Sequence, residues 1–347
     1  MKLIGIGDLY VTTQMIAEGL SSLKNLGIEV QSINWPLSGY DELQAYNLKI
    51  ETAGPDAVTL PDEIITSTRD AEVLVTHFCP INHRMISQCP RLKIIGVLRG
   101  GVKNIAVKEA TNRGITILNT PGHNAHAVSD FTVGLIIAEA RNIGRAHAAL
   151  KCGKWRKDFY NWSNMPELYN RTVGIIGYGC IGSLVARKLS GFEMKIMGYD
   201  PYIGSAQGDN PFNVEFCDLK SLLSKSDFVT IHAKLTKETN GLIGREELRL
   251  MKPTSYLINT ARAEIVEEDA LREALEQHWL SGAALDVFYR EPPMPDDWIL
   301  TLDNVTLTPH MAGTTYDAYT NSVKIMCREL QRYIGDSDSK NMLLCEA

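Results

Sequence analysis

Arg171-Thr-Val-Gly-Ile-Ile-Gly-Tyr-Gly-Cys-Ile-Gly-Ser-Leu-Val-Ala-Arg-Lys-Leu189, followed by Met194-Lys-Ile-Met-Gly-Tyr-Asp200, decides the fold. A short apolar run, Val173 to Ile176, ends in Gly177, Gly179 and Gly182, and an amphipathic segment starts at once. Gly177 suits the tight strand-to-helix turn, Gly179 lets backbone approach a pyrophosphate, and Gly182 lets the helix lie close on its strand. The first amides of that helix, near Cys180 and Ile181, carry a favourable dipole for phosphate. A second apolar run then stops at Asp200, eighteen residues beyond the last glycine, where an acid can bond a ribose 2′-hydroxyl. Glycines also serve ordinary turns. Strand, glycines, helix and acid in this order instead predict a Rossmann dinucleotide-binding domain, with Asp200 favouring NAD over NADP.

A chain of 347 residues is long for one core, so two domains are expected. Hydrophobic content of 44% and charged content of 22% are those of a globular protein. The net charge of −6, without a basic stripe, argues against a nucleic-acid partner. No window approaches the roughly twenty apolar residues of a membrane span, and Asp8 interrupts the opening apolar run too early for a signal peptide. The seven cysteines are scattered without a C-x-x-C pair, which suits packing thiols in a reducing cytoplasm rather than disulfides or zinc.

On the N-terminal side, strand-like runs at Leu3–Ile6, Ile28–Ile33, Val73–Val75, Ile94–Val97 and Ile115–Leu118 alternate with helical patterns such as Thr12–Leu26 and Asn82–Cys89. This predicts a second doubly wound parallel sheet. Gly5-Ile6-Gly7 lacks the third glycine and reads as a plain strand-end turn. Leu98-Arg99-Gly100-Gly101-Val102-Lys103-Asn104 places two glycines just past a buried strand, where open α/β sheets bind ligands. Its exposed amides could hold a carboxylate with Arg99 as a second contact; the alternative is a bare turn with a solvated arginine.

Thr120-Pro121-Gly122 reads as an interdomain hinge, and a helix is expected from His123 to Leu150. His123 and His126 lack further ligands in register, so no metal is expected. Trp155, Phe159, Tyr160 and Trp162 imply burial, against a second subunit or within the chain. From Arg171 the alternation resumes, with strands at Lys195–Tyr199, Phe228–His232, Tyr256–Asn259, Ala283–Asp286 and Val305–Thr308, and helices at Asp218–Lys225 and Glu267–Gln277. Beyond Gly313 a helix to about Tyr333 is long enough to return to the N-terminal domain, and Gly335–Lys340 reads as a flexible break.

Three polar residues fall just past later strands: Arg262, Glu291 and His310. Hydride transfer at a hydroxyl-bearing carbon needs a group to take or return the hydroxyl proton, and histidine titrates in the right range. A carboxylate beside it orients the imidazole, and an arginine grips a carboxylate or carbonyl oxygen. Each alone is equally compatible with a surface ion pair, a solvated acid or a structural histidine.

With these motifs in view, the sequence resembles the D-isomer-specific 2-hydroxyacid dehydrogenases, which include phosphoglycerate, glyoxylate/hydroxypyruvate and formate dehydrogenases. The resemblance runs from about Val73 to Glu329, through Gly177–Gly182, Met251-Lys252-Pro253 to Glu268, Gly282 to Pro292, and Thr308-Pro-His-Met-Ala-Gly313. It implies catalytic roles for Arg262, Glu291 and His310, with Asp286 on the nicotinamide carboxamide. It also implies cofactor contacts at Ala233, Lys234, Thr260, Arg262, His310 and Gly313, beside those of Gly177, Gly179, Cys180, Ile181, Gly182 and Asp200. The substrate would meet Arg99, Gly100, Gly101 and Asn104, with Phe78 and Cys79 as further lining. The implied architecture is a Rossmann NAD-binding domain, 121–312, inserted into a flavodoxin-like substrate domain, 1–120 plus 313–347. The family commonly forms homodimers through the NAD-binding domain. Ala263, Lys234 and Lys103 depart from a usual Gly, Pro and Asp.

The expected activity is therefore NAD-dependent interconversion of a small D-2-hydroxy acid and its 2-keto acid, in the cytoplasm, with closure about the hinges excluding water. The rival readings are a non-catalytic NAD-sensing corepressor on the same fold and a phosphoglycerate dehydrogenase proper, the latter limited by a chain too short for a large regulatory domain.

Overall fold

The computed structural model describes residues 1–203 and 211–335, which divide into two compact units: Met1–Asn124 together with the chain from Thr314, and Ala125–Gly313. In the first unit, β1 (Lys2–Gly7), β2 (Glu29–Asn34), β3 (Val73–Thr76), β4 (Ile94–Val97) and β5 (Thr116–Asn119) form a sheet in the order β2-β1-β3-β4-β5. Every pairing is parallel. This is the flavodoxin-like order, whose switch point lies between β1 and β3. The inner strands β1, β3 and β4 bury both faces because helices cover both, whereas the edge strand β2 is exposed or half-buried along its length. Val73 and Val75 join Leu3, Ile16 and Met326 in one cluster, while Leu74 joins Ile4, Ile6 and Ile86 in the other. Near-continuous apolar strands rather than alternating ones follow directly from that.

One helix of this unit differs from expectation. The Thr12–Leu26 pattern forms an α-helix only over Thr13–Gly19, capped by the Thr12 side chain on the Met15 amide, and continues as a 3₁₀ turn over Ser21–Leu26. Paired serines at 21 and 22 are poor interior helix residues, and Gly27 at φ 71° ends the turn. The last helix, Tyr316–Gly335, packs on this unit: Val323 sits against Gly19, Met326 against Gly96, and the Tyr333 hydroxyl meets Thr116 Oγ1 at 2.7 Å. Met326 is fully buried, so truncation to alanine there costs about 2–5 kcal/mol. The acidic break foreseen at Gly335–Lys340 lies, past Gly335, outside the described residues.

In the second unit β6 (Thr172–Ile176), β7 (Lys195–Tyr199), β8 (Glu215–Phe216), β9 (Phe228–Ile231), β10 (Tyr256–Asn259), β11 (Gly282–Leu285) and β12 (Val305–Leu307) form one parallel sheet, ordered β12-β11-β10-β9-β6-β7-β8. The order reverses between β6 and β9, as in a Rossmann sheet. The long helix expected from His123 is two helices, Ala125–Ala140 and Ile143–Lys151. Asn142 breaks them with φ 56°, a left-handed conformation that asparagine tolerates, and its amide donates to Asn161 Oδ1 at 2.7 Å. Below this corner Glu139 is fully buried and bonded by Arg145, Tyr160 and Thr306. Burial nonetheless pushes its carboxyl up, ahead of the opposing pull of Arg145 and the hydroxyl donors.

Candidate active site

The β6-to-helix turn is built as its glycines suggest. Gly177 has φ 88°, and a side chain there would come 2.5 Å from the Ala233 amide nitrogen. A Cβ on Gly182 would run into the Gly177 carbonyl oxygen, whereas Gly179 faces open space. The Cys180–Ser190 helix starts at Gly179 with no side chain capping it, so its first-turn amides remain for an anion. Asp200, at the end of β7, accepts from the amides of Tyr178 (2.8 Å) and Tyr202 (3.0 Å). Those bonds pin a carboxylate next to the glycine turn as an acceptor. A pyrophosphate on the open turn and a ribose hydroxyl at Asp200 fit this arrangement. Ala233 borders the turn, Lys234 is exposed beyond it, and Thr260 shares a hydrogen bond with Thr132 at 3.0 Å.

Arg262, Glu291 and His310 follow β10, β11 and β12. His310 Nδ1 lies 2.7 Å from Glu291 Oε2, and Glu291 Oε1 accepts from the Phe288 amide at 3.1 Å. A carboxylate only accepts, so Nδ1 carries the proton of that bond and Nε2 is left for another partner. The histidine is 45% exposed and the glutamate 35%, which leaves the pair open to a ligand. Burial raises the Glu291 carboxyl, but the His310 bond and charge, the Phe288 amide and the Arg262 charge outweigh it and hold it below the usual carboxylate range. Arg262 is exposed, its backbone carbonyl taken by the Asn259 side chain at 2.8 Å.

Asp286 is 1% exposed and fully engaged. It accepts from Thr308 Oγ1 at 2.6 Å and from the amides of Met311 (3.0 Å) and Ala312 (2.8 Å). These three bonds bracket His310, whose φ of 49° is a left-handed conformation that costs a non-glycine residue energy. The acid thus holds the histidine's loop in shape; Gly313 follows on that loop.

In the first unit, Gly100 and Gly101 are exposed, and the amides of Gly100, Gly101 and Val102 have no acceptor among the described residues. Arg99 is committed: its Nη2 donates to Glu51 at 2.8 Å and its guanidinium lies 4.6 Å over the Phe78 ring. Asn104 is fully buried and donates to the carbonyls of His77 and Cys79, so its side chain braces the loop. Cys79 is fully buried, contrary to its expected place on a pocket wall, because it packs in the core cluster with Ile81 and Met85. Burial, reinforced by Asp8, pushes its thiol well up.

Sequence reasoning missed Glu51, on the Tyr40–Ala53 helix, and the buried Asp8–His77 pair at the β1/β3 switch point, with Nδ1 3.0 Å from Oδ2. An acid directly after β1 was the available signal for the latter. The aromatic segment divides: Phe159 is buried and Tyr160 bonds Glu139, while Trp155 and Trp162 are 81% and 71% exposed. Among the described residues no three metal-ligating side chains converge, His123 and His126 included.

A family model for the NAD binding domain of D-isomer specific 2-hydroxyacid dehydrogenases matches residues 133–312. Glyoxylate reductase of Thermofilum pendens is 40% identical over 93% of this chain and 90% of that protein. D-3-phosphoglycerate dehydrogenase of Methanocaldococcus jannaschii is 39% identical over 81% of this chain, but over only 53% of that longer protein. The NAD-complexed D-isomer specific 2-hydroxyacid dehydrogenase of Lactobacillus delbrueckii ssp. bulgaricus shares the fold, with TM-score 0.73, 22% identity, and coverage of 96% of this chain and 97% of that one. The chain therefore belongs to the D-isomer specific 2-hydroxyacid dehydrogenases, NAD-dependent oxidoreductases that move a hydride between the nicotinamide and a 2-hydroxy or 2-keto acid.

Proposed function

We propose that this enzyme reduces glyoxylate or a similarly small 2-keto acid with NADH. The observation that carries the reading is the His310–Glu291 pair at 2.7 Å, with Nε2 uncommitted. When bound, NADH supplies the hydride. His310 Nε2 gives the proton to the carbonyl oxygen as the alcohol forms, and takes it back in the reverse direction. Glu291 fixes the tautomer and stabilises the imidazolium. Arg262 anchors the substrate from the β10 end, its exposed guanidinium suited to a two-point grip. The free amides of Gly100 to Val102 suit a carboxylate, which supports reading the first unit as the substrate domain and the second as the NAD domain.

Ile143, Leu150, Trp155 and Trp162, all exposed by half or more on the second unit, support a homodimer through that unit. The cytoplasm is the proposed compartment, in keeping with the unpaired thiols of the described cysteines. The glyoxylate relatives motivate the substrate. NADH oxidation with glyoxylate tests the reading. His310→Ala should bind NADH normally and lose at least ~100-fold in turnover; near-full turnover would remove His310 from the chemistry.

A further inference from the structure

The carboxyl end of the first sheet carries several ionisable side chains, and most of them are bonded to one another. Asp8 and His77 are bonded to each other in the buried switch-point position, Nδ1 3.0 Å from Oδ2, and are committed there. Burial and the charges of His77 and Arg99 push His123 down to about 4, against the Thr120 carbonyl bond, so it is neutral at physiological pH. That leaves Arg99, Lys103 and Glu51. Arg99 Nη2 is 2.8 Å from Glu51 Oε1, and Lys103 Nζ is 3.4 Å from Glu51 Oε2. Burial raises the Glu51 carboxyl, but the two cations outweigh it and keep it ionised. Nη1 of Arg99 is enclosed and has no partner among the described residues, so it is not presented to a ligand. Within this three-residue cluster, two cations against one anion leave one net positive charge beside the free amides of Gly100 to Val102.

We propose that Glu51 is a specificity-determining residue that occupies the Arg99 guanidinium and so restricts the enzyme to 2-keto acids bearing a single negative charge. The inference rests on the reading of this loop as the substrate-carboxylate site. One carboxylate balances the one residual charge. A second carboxylate or a phosphate finds no unpaired cation here and meets the Glu51 anion instead. Phe78, stacked on the guanidinium, offers an apolar surface to an uncharged substituent. Arg99 is thus a charge held in reserve by an acid from a different part of the chain.

The test compares kcat/KM with NADH for glyoxylate and pyruvate against oxaloacetate and phosphohydroxypyruvate. The unaltered enzyme should favour the monoanions by at least ten-fold, which needs no variant. Glu51→Gln, nearly the same size, should raise the ratio of oxaloacetate to pyruvate by roughly 10- to 100-fold, the worth of one charge-assisted hydrogen bond. Glu51→Asp, which keeps the charge, should retain the monoanion preference. Equal use of monoanions and dianions by the unaltered enzyme overturns the proposal, as does an unchanged ratio in Glu51→Gln. Loss of turnover with every keto acid in the unaltered enzyme would instead overturn the reading of the substrate class, and this inference with it.

Discussion

Replacing Glu291 by glutamine keeps the shape of the side chain and removes one acceptor oxygen. In the structure both oxygens are used, Oε1 by the Phe288 amide at 3.1 Å and Oε2 by His310 Nδ1 at 2.7 Å. Glutamine has one acceptor and one donor for these two places. If its oxygen stays with Phe288, the NH₂ group faces Nδ1, which must then be an acceptor; the imidazole carries its proton on Nε2 and cannot become imidazolium. If the amide turns over, Phe288 N–H faces a donor. Either way one charge-assisted bond is lost, about 1.5–3 kcal/mol. The pair is only half-buried, so the lower part of that range is expected, a fall in kcat of about 10- to 50-fold. Stopped-flow oxidation of bound NADH by glyoxylate would measure it, with NADH affinity titrated separately. A kcat within two-fold of the unaltered enzyme would refute the argument that this carboxylate sets the tautomer. The pH dependence has a fixed sign. Glu291 lies below the usual carboxylate range, so its hold on His310 is complete at neutral pH and is lost only as pH falls below that range through the folded value.

Gly182→Ala would drive a methyl group into the Gly177 carbonyl, where both partners are backbone; a loss of about 1–3 kcal/mol, together with weakened NADH binding, is expected from thermal melts and fluorescence titration. An unchanged melting temperature would show that the turn relaxes freely. Asp286→Asn would place one NH₂ among three donors, Thr308 Oγ1 and the amides of Met311 and Ala312. With His310 misplaced, kcat should fall at least ~10-fold while the Kd for NADH moves less than about three-fold. The opposite split, affinity lost and kcat kept, would show that Asp286 acts on the cofactor rather than on the loop.

The alternation of apolar runs with helical patterns, and the three glycines before Asp200, determined by themselves that two parallel sheets form and where the tight glycine turn after β6 lies. Those features are local: a left-handed φ at Gly177 and the strand-to-helix register are properties of a few consecutive residues. The positions of Arg262, Glu291 and His310 after their strands were legible for the same reason. What the tertiary structure decided are contacts between distant segments. It broke the expected His123–Leu150 helix at Asn142, where Asn161 supplies the bond that stabilises the turn. It buried Cys79 and Asn104 and turned Trp155 and Trp162 outward. It wrapped the Asp286 carboxylate around the loop that carries His310. It set Glu51 on Arg99 across 48 residues of chain. No periodicity encodes such a pair, because a helix end and a strand-end loop meet only once the sheet order is fixed.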